Sequence, residues 1–151
     1  MYLDLDSSEG ERFQFFASTI DPVSGDVVYG DPKGDAYVTL RPMQPFFEDR
    51  LAKRQLKVDH VLNPKTKAME RITYYPDLSF DEVKREREDA WDYAILTWEG
   101  FMDEKTKQDI ECTRENKIKL MKIPVFDRFI ARCFQLMAES GIKEEEALEK
   151  N

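Results

Sequence analysis

Very few residues in this chain could do chemistry. His60 is the only histidine, and histidine is the commonest general base of a catalytic dyad or triad. It follows Asp59 in a segment of strand character, where neighbouring side chains point to opposite faces. The two do not converge, and His60 reads as an ordinary strand residue. The acidic run Asp81, Glu82, Glu86, Glu88 and Asp89 offers the carboxylate oxygens that Mg²⁺ and Ca²⁺ prefer. Lys84, Arg85 and Arg87 are interleaved with it, and Asp81 and Arg85 stand at the i,i+4 spacing of a helical ion pair. That pattern favours a solvated helix face over a metal site. The stretch Asp4 to Gly10 has some acidic residues of a calcium loop, but its Gly comes one place late and Phe15 stands where the twelfth-position Glu belongs. Cys112 and Cys133 lie 21 residues apart with no CxxC, whereas a structural zinc site needs about four ligands. They read as reduced, part-buried thiols of an intracellular protein rather than a disulfide. No Gly-rich phosphate loop, G-x-S-x-G elbow or H-E-x-x-H helix occurs. No catalytic, cofactor-binding or metal-binding residue is therefore assigned, and the expectation is a protein that is not an enzyme and works by binding other proteins.

The remaining resource is aromatic. Trp91, Trp98, Phe101, Phe126, Phe129 and Phe134 are of the type that dominates interface hot spots. Trp98, Phe101, Phe126 and Phe129 are the candidate partner-binding residues. Helical spacing favours the core for this group, with one or two members at an exposed rim.

The elements that must position these residues divide the chain into two halves. Arg12 to Ser18, Asp26 to Gly30 and Ala36 to Arg41 have strand composition with turn residues between them. Asp21-Pro22-Val23-Ser24-Gly25 and Asn63-Pro64-Lys65-Thr66-Lys67 share one turn pattern, in which the Asx side chain can bond the backbone ahead and Pro fixes φ. Two hairpins follow, the second joining Lys57–Leu62 to Ala68–Tyr75. Between them, Gln44 to Gln55 opens on Pro45 and reads as a short helix. Ser79-Phe80-Asp81-Glu82 is a capping box, starting a helix over about 80–98 that Gly100 stops. Thr113 can cap a short helix to about Lys122. From Pro124, the residues Phe126, Phe129, Ile130, Cys133, Phe134 and Met137 recur at helical spacing, and Gly141 supplies a stop. This stripe is expected to pack against the 80–98 helix. The fold class is α+β in a single domain over 1–151: residues 1–76 β-rich, 77–141 helical, and 142–151 a charged tail.

Composition sets the outer limits. With 151 residues, of which 41% are hydrophobic, the chain can bury a core. A net charge of −8 repels phosphate backbones, so nucleic acid is not an expected partner. The longest mainly apolar stretch, Ala90 to Phe101, is interrupted by Asp92 and Glu99 and falls short of the ~20 residues that span a bilayer. No membrane segment is expected. Met1-Tyr2-Leu3-Asp4 has no basic or apolar leader character, so no export signal is expected either.

The run Asp92-Tyr93-Ala94-Ile95-Leu96-Thr97-Trp98-Glu99-Gly100-Phe101, a polar turn, Ile110-Glu111-Cys112-Thr113-Arg114-Glu115-Asn116-Lys117, and then Pro124-Val125-Phe126 resemble a pattern in small tail proteins of bacteriophages and prophages, the tail assembly chaperones. The likeness covers about a third of the chain; the earlier half, with Tyr37-Val38-Thr39-Leu40-Arg41-Pro42, agrees only in general layout. The resemblance implies a non-enzymatic protein of the host cytoplasm that binds the tape-measure protein during tail morphogenesis and keeps its apolar surface from aggregating. The alternative is a structural tail-completion or connector subunit, a homo-oligomer formed by edge pairing of its hairpins. A metal-dependent enzyme using the acidic helix is a third reading.

Overall fold

The computed structural model describes residues 10–149. The opening Met1–Asp4, most of the acidic stretch Asp4–Gly10 and the last two residues of the charged tail lie outside the described residues. The chain is α+β. Its strands are β1 (Glu11–Gln14), β2 (Ser18–Ile20), β3 (Val27–Tyr29), β4 (Tyr37–Leu40), β5 (Lys57–Leu62), β6 (Met69–Tyr74) and β7 (Ile95–Glu99). Its helices are α1 (Gln44–Lys53), α2 (Phe80–Ala94), α3 (Arg114–Met121) and α4 (Pro124–Glu149). An antiparallel sheet in the order β1-β4-β7 forms the centre, and β2-β3 and β5-β6 are separate two-stranded hairpins. No described helix is long and apolar enough to cross a membrane.

The segment read as one strand, Arg12 to Ser18, is two. Phe15 and Phe16 interrupt it, and both rings meet Phe129 edge-on, each with its centroid 4.9 Å away. Successive residues of a regular strand point to opposite faces, so the chain can turn both rings inward only by leaving strand geometry. It passes from the central sheet to the β2-β3 hairpin at that point. Arg128 of α4 fixes the crossing by donating from Nε to Ser18 Oγ at 2.7 Å.

The helix expected over 80–98 ends at Ala94, and Ile95–Glu99 is instead a strand of the central sheet. Ile95 lies opposite Leu40 and Thr97 opposite Thr39, leaving Leu96 as the extra residue of a bulge. Because of that bulge, Ile95 and Trp98 both bury although they are three residues apart. This spacing is also that of a helix face, so the apolar pattern runs unbroken from α2 into β7.

The stripe on α4 is real, but its partner differs from the one expected. Phe126, Phe129, Ile130 and Cys133 are buried in one cluster with Phe16, Val38, Leu40, Ile95, Trp98, Leu120 and Met121. Thus α4 covers the central sheet, and α3 touches both α2 and α4. A sheet face buries a long stripe more completely than α2 could, since α2 buries only Ala90 and Ala94. Gly141 does not stop α4, which continues to Glu149. Glycine allows a helix to end in the left-handed region but does not compel it, and Gly141 is not among the glycines with positive φ. The N-terminal boundaries follow their caps: Ser79 Oγ accepts from Glu82 N at 3.2 Å, and Thr113 Oγ1 accepts from Asn116 N at 3.2 Å.

Three tight turns share one construction, where the sequence pattern with Pro shows two. In each, a first-position Asp21, Asn63 or Asp103 accepts through Oδ1 from the amide two residues on, at 2.8–2.9 Å. Its carbonyl accepts from the fifth-position amide of Gly25, Lys67 or Lys107. A fourth-position Ser24, Thr66 or Thr106 caps the amide that follows two residues later. Asp103 shows the effect electrostatically, because the amides of Thr106 and Lys105 hold its carboxyl below the usual range. The third turn has Glu104 where the others have Pro, so the Asx and hydroxyl side chains define the loop. The fifth residue has positive φ: 76° at Gly25, 57° at Lys67 and 58° at Lys107. Left-handed backbone costs a side-chain-bearing residue about 1–2 kcal/mol. Lys107→Gly is therefore expected to raise stability by about 0.5–1 kcal/mol, after the larger chain entropy of unfolded Gly is deducted. Urea unfolding checks this.

Candidate functional site

Of the four residues expected to meet a partner, Trp98, Phe126 and Phe129 are buried in the core and Phe101 is partly buried against it. Phe129 is fully buried, and Phe126 and Trp98 nearly so. Trp98 donates from Nε1 to the Ile110 carbonyl at 2.7 Å, which satisfies its one polar group inside the fold. Phe101 packs edge-on against Phe126 at 5.7 Å and Phe15 at 5.6 Å. Only Phe101 keeps an open edge, where it lines a cavity of about 340 Å³ with Met102, Ile110, Leu120 and Ile123. Trp98, Phe126 and Phe129 are thus corrected from partner surface to core. They form an edge-to-face aromatic cluster around α4, with little surface left to offer.

The exposed apolar surface lies elsewhere, on the arm that the chain builds between β4 and β7. Residues 44–94 leave the central sheet, form α1, the β5-β6 hairpin and α2, and return to pair with the strand they left. Among the described residues, twelve of the nineteen exposed large hydrophobic ones fall between Phe47 and Val83, so this arm concentrates what the core leaves out. Phe80 is the most exposed of the twelve, at 82%.

The hairpin is the most isolated part. All residues of β5 and β6 are exposed. The register sets Lys57 opposite Tyr74, Asp59 opposite Ile72 and Val61 opposite Glu70 on one face. The other face carries Val58 with Thr73, His60 with Arg71, and Leu62 with Met69. Each face mixes apolar and charged side chains, so neither is a dry surface for the chain's own core. A lone two-stranded hairpin is marginally stable at best in water. His60 is exposed on this hairpin, its ring on the face of Arg71 and its own amide bonded to Asp59 Oδ1 at 3.0 Å.

Ion pairs brace the arm internally and hold it to the body. Arg54 donates to both carboxylate oxygens of Glu86 at 2.6 and 2.8 Å, and Arg50 pairs with Asp89 at 3.0 Å, which joins α1 to α2. From the other side Arg114 reaches Asp89 at 2.5 Å, and the buried Lys117 donates to the Asp92 carboxylate and carbonyl, each at 3.0 Å. The bond to Asp89 raises the Arg114 pKa further. Glu86 and Asp89 of the acidic run thus act as anchors between helices. Among the described residues Asp81 and Arg85 are not paired, and no group of three or more His, Cys, Asp or Glu side chains could hold a metal ion. Beside the anchors lies an apolar groove of about 320 Å³ lined by Met43, Phe47, Leu78, Val83, Ala90 and Trp91.

Both cysteines are free thiols, Cys133 buried and Cys112 half-buried. Burial pushes the Cys133 thiol up to about 12 and the Cys112 thiol upward as well. Neither is poised as a nucleophile, since the thiolate is the reactive form.

Sequence reasoning located the hairpin but not its isolation. The available signal was its mixed faces, because a strand that packs on its own core alternates cleanly between apolar and polar. Comparison with family models, curated proteins and solved structures finds no match for the chain.

Proposed function

We propose that this chain is a non-enzymatic assembly protein of a bacteriophage or prophage tail, a chaperone that binds the tape-measure protein through the arm between β4 and β7. The observation that carries the binding role is the β5-β6 hairpin, exposed on both faces and displaying Val58, Val61, Leu62, Met69, Ile72 and Tyr74. Val61, Ile72 and Tyr74 are neighbours on one face and Leu62 faces Met69 on the other, and grouped exposed apolar side chains on a folded protein mark an interaction site. The tail-assembly context comes from the sequence pattern around Trp98-Glu99-Gly100-Phe101 and Pro124-Val125-Phe126. The net charge of −8 supplies a solubilising mechanism, since complexes carrying it repel one another. It also disfavours nucleic acid as a partner. In this reading the protein acts in the host cytoplasm, with no cofactor.

Co-expression with the tape-measure protein of the same genome tests the proposal. The expected result is a larger soluble fraction of that protein and co-purification of the two. Unchanged solubility without co-purification overturns it. The unpaired edges of β5 and β6 favour one second reading, a structural tail-completion or connector subunit. A closed ring of many copies in sedimentation, formed without any partner, would select that role.

A further inference from the structure

The edges of the free hairpin carry information that its faces do not. Asn63 N donates to the Ala68 carbonyl at the turn, which makes 63/68 a hydrogen-bonded pair. In an antiparallel ladder such pairs alternate with non-bonded ones. With the observed register, residues 57, 59 and 61 therefore spend their backbone groups on β6, while Val58 and His60 point theirs outward. The His60 amide fits this phase, being satisfied by the adjacent Asp59 side chain rather than by β6.

Lys57 and Asp59 flank Val58 on one face of the strand. A lysine on an edge strand ordinarily discourages pairing. Here the carboxylate two residues away makes the edge complementary to itself under a twofold rotation. We propose that β5 pairs with β5 of a second copy, antiparallel about a twofold axis at Val58, giving a four-stranded sheet across a homodimer. In that register Val58 exchanges both backbone hydrogen bonds with its counterpart, and Leu56 does so with His60, whose amide leaves Asp59 Oδ1 for the Leu56 carbonyl. The Asp59 carboxylate so released stands opposite Lys57 of the second copy, twice. The Lys57–Asp59 pairs occupy non-hydrogen-bonded positions, where facing Cα atoms are about 4.5 Å apart and side chains are closest.

Among pairs formed within the strands themselves, no other twofold register centred in β5 or β6 sets opposite charges against each other. Centring on Lys57, Asp59, Glu70 or Arg71 sets each against its own kind. Centring on His60 faces Asp59 with Val61, and centring on Ile72 faces Glu70 with Tyr74. The β5 edge about Val58 is thus selected by charge.

This inference goes beyond the proposed function and leaves both hairpin faces open. A chain that dimerises in this way but does not bind the tape-measure protein would contradict the proposed function alone.

Sedimentation equilibrium of the full chain without partners tests the dimer. The wild type is expected at twice its 17.8 kDa. Val58→Pro removes an outward amide without breaking a bond to β6, and Asp59→Lys sets lysine against lysine. Each is expected to weaken dimerisation at least about tenfold with an unchanged circular-dichroism melt. Exchange of the two charges, Lys57→Asp with Asp59→Lys, is expected to restore it. A monomeric wild type, an Asp59→Lys variant that dimerises as tightly as wild type, or failure of the exchanged pair to recover dimerisation in a folded protein overturns the proposal.

Discussion

Phe129→Ala is expected to lower the free energy of unfolding by about 3–5 kcal/mol, the range for truncating a fully buried aromatic ring. Phe129 is 0% exposed. Its ring meets Phe15 and Phe16 edge-on, and Phe126 lies 6.4 Å away. Those neighbours come from the β1–β2 crossing and from α4 itself, so the cavity would sit where two parts of the fold join and could not collapse without moving one of them. Phe134 belongs to the same helical stripe but is only partly buried at the margin of this cluster. Its truncation should cost less than that of Phe129. Denaturant unfolding of the two variants makes the comparison, and equal losses would mean that the stripe is buried uniformly.

Gly100→Ala is expected to cost about 3 kcal/mol or more, because two of the recognised causes of large effects, strain at a special φ and overpacking, act together. Gly100 has φ of +81°. A Cβ there would lie 2.2 Å from the Asp35 carbonyl oxygen and 2.8 Å from the Ala36 Cα, and these are backbone atoms that cannot rotate aside. Since Ala36 leads into β4 and Gly100 follows β7, relief requires the two strands to separate at that end. Gly25→Ala is the control. Its φ is similar at +76°, but nothing lies within 4 Å of the added carbon, so only the conformational cost of about 1–2 kcal/mol remains. Equal losses in thermal unfolding would remove the steric part of this explanation.

The α+β class, the two hairpins, the start of α4 and both N-caps were legible because each rests on local chemistry. Ser79 and Thr113 need only their own next turn, and the Asx turns need five residues. The β7 strand was not legible, because its bulge at Leu96 reproduces the three-residue spacing of a helix, and the pairing with β4 that decides the matter comes from more than fifty residues earlier. The partner of α4 was hidden for the same reason: the Phe126–Met137 stripe shows that something is buried but not whether a helix or a sheet buries it. The candidate site was misplaced by the same ambiguity. Trp98, Phe126 and Phe129 have the composition of a hot spot, yet a core aromatic cluster has that composition too. Only the β1–β2 crossing, which brings Phe15 and Phe16 onto Phe129, decides between them. The charges of α2 looked like a solvated face, whereas Glu86 and Asp89 meet Arg54, Arg50 and Arg114 from two other helices.

Removing the hairpin separates the proposed binding role of the arm from the aromatic cluster. Residues 57–74 contribute no buried side chain, so replacing them with a short Gly-Ser turn is expected to leave the thermal transition of the core in place. The decisive measurement is the amount of tape-measure protein that co-purifies with the wild-type chain and with this shortened one at equal expression. The wild type is expected to retain it and the shortened, folded chain to lose it. Equal retention by both would contradict the proposed role of the arm.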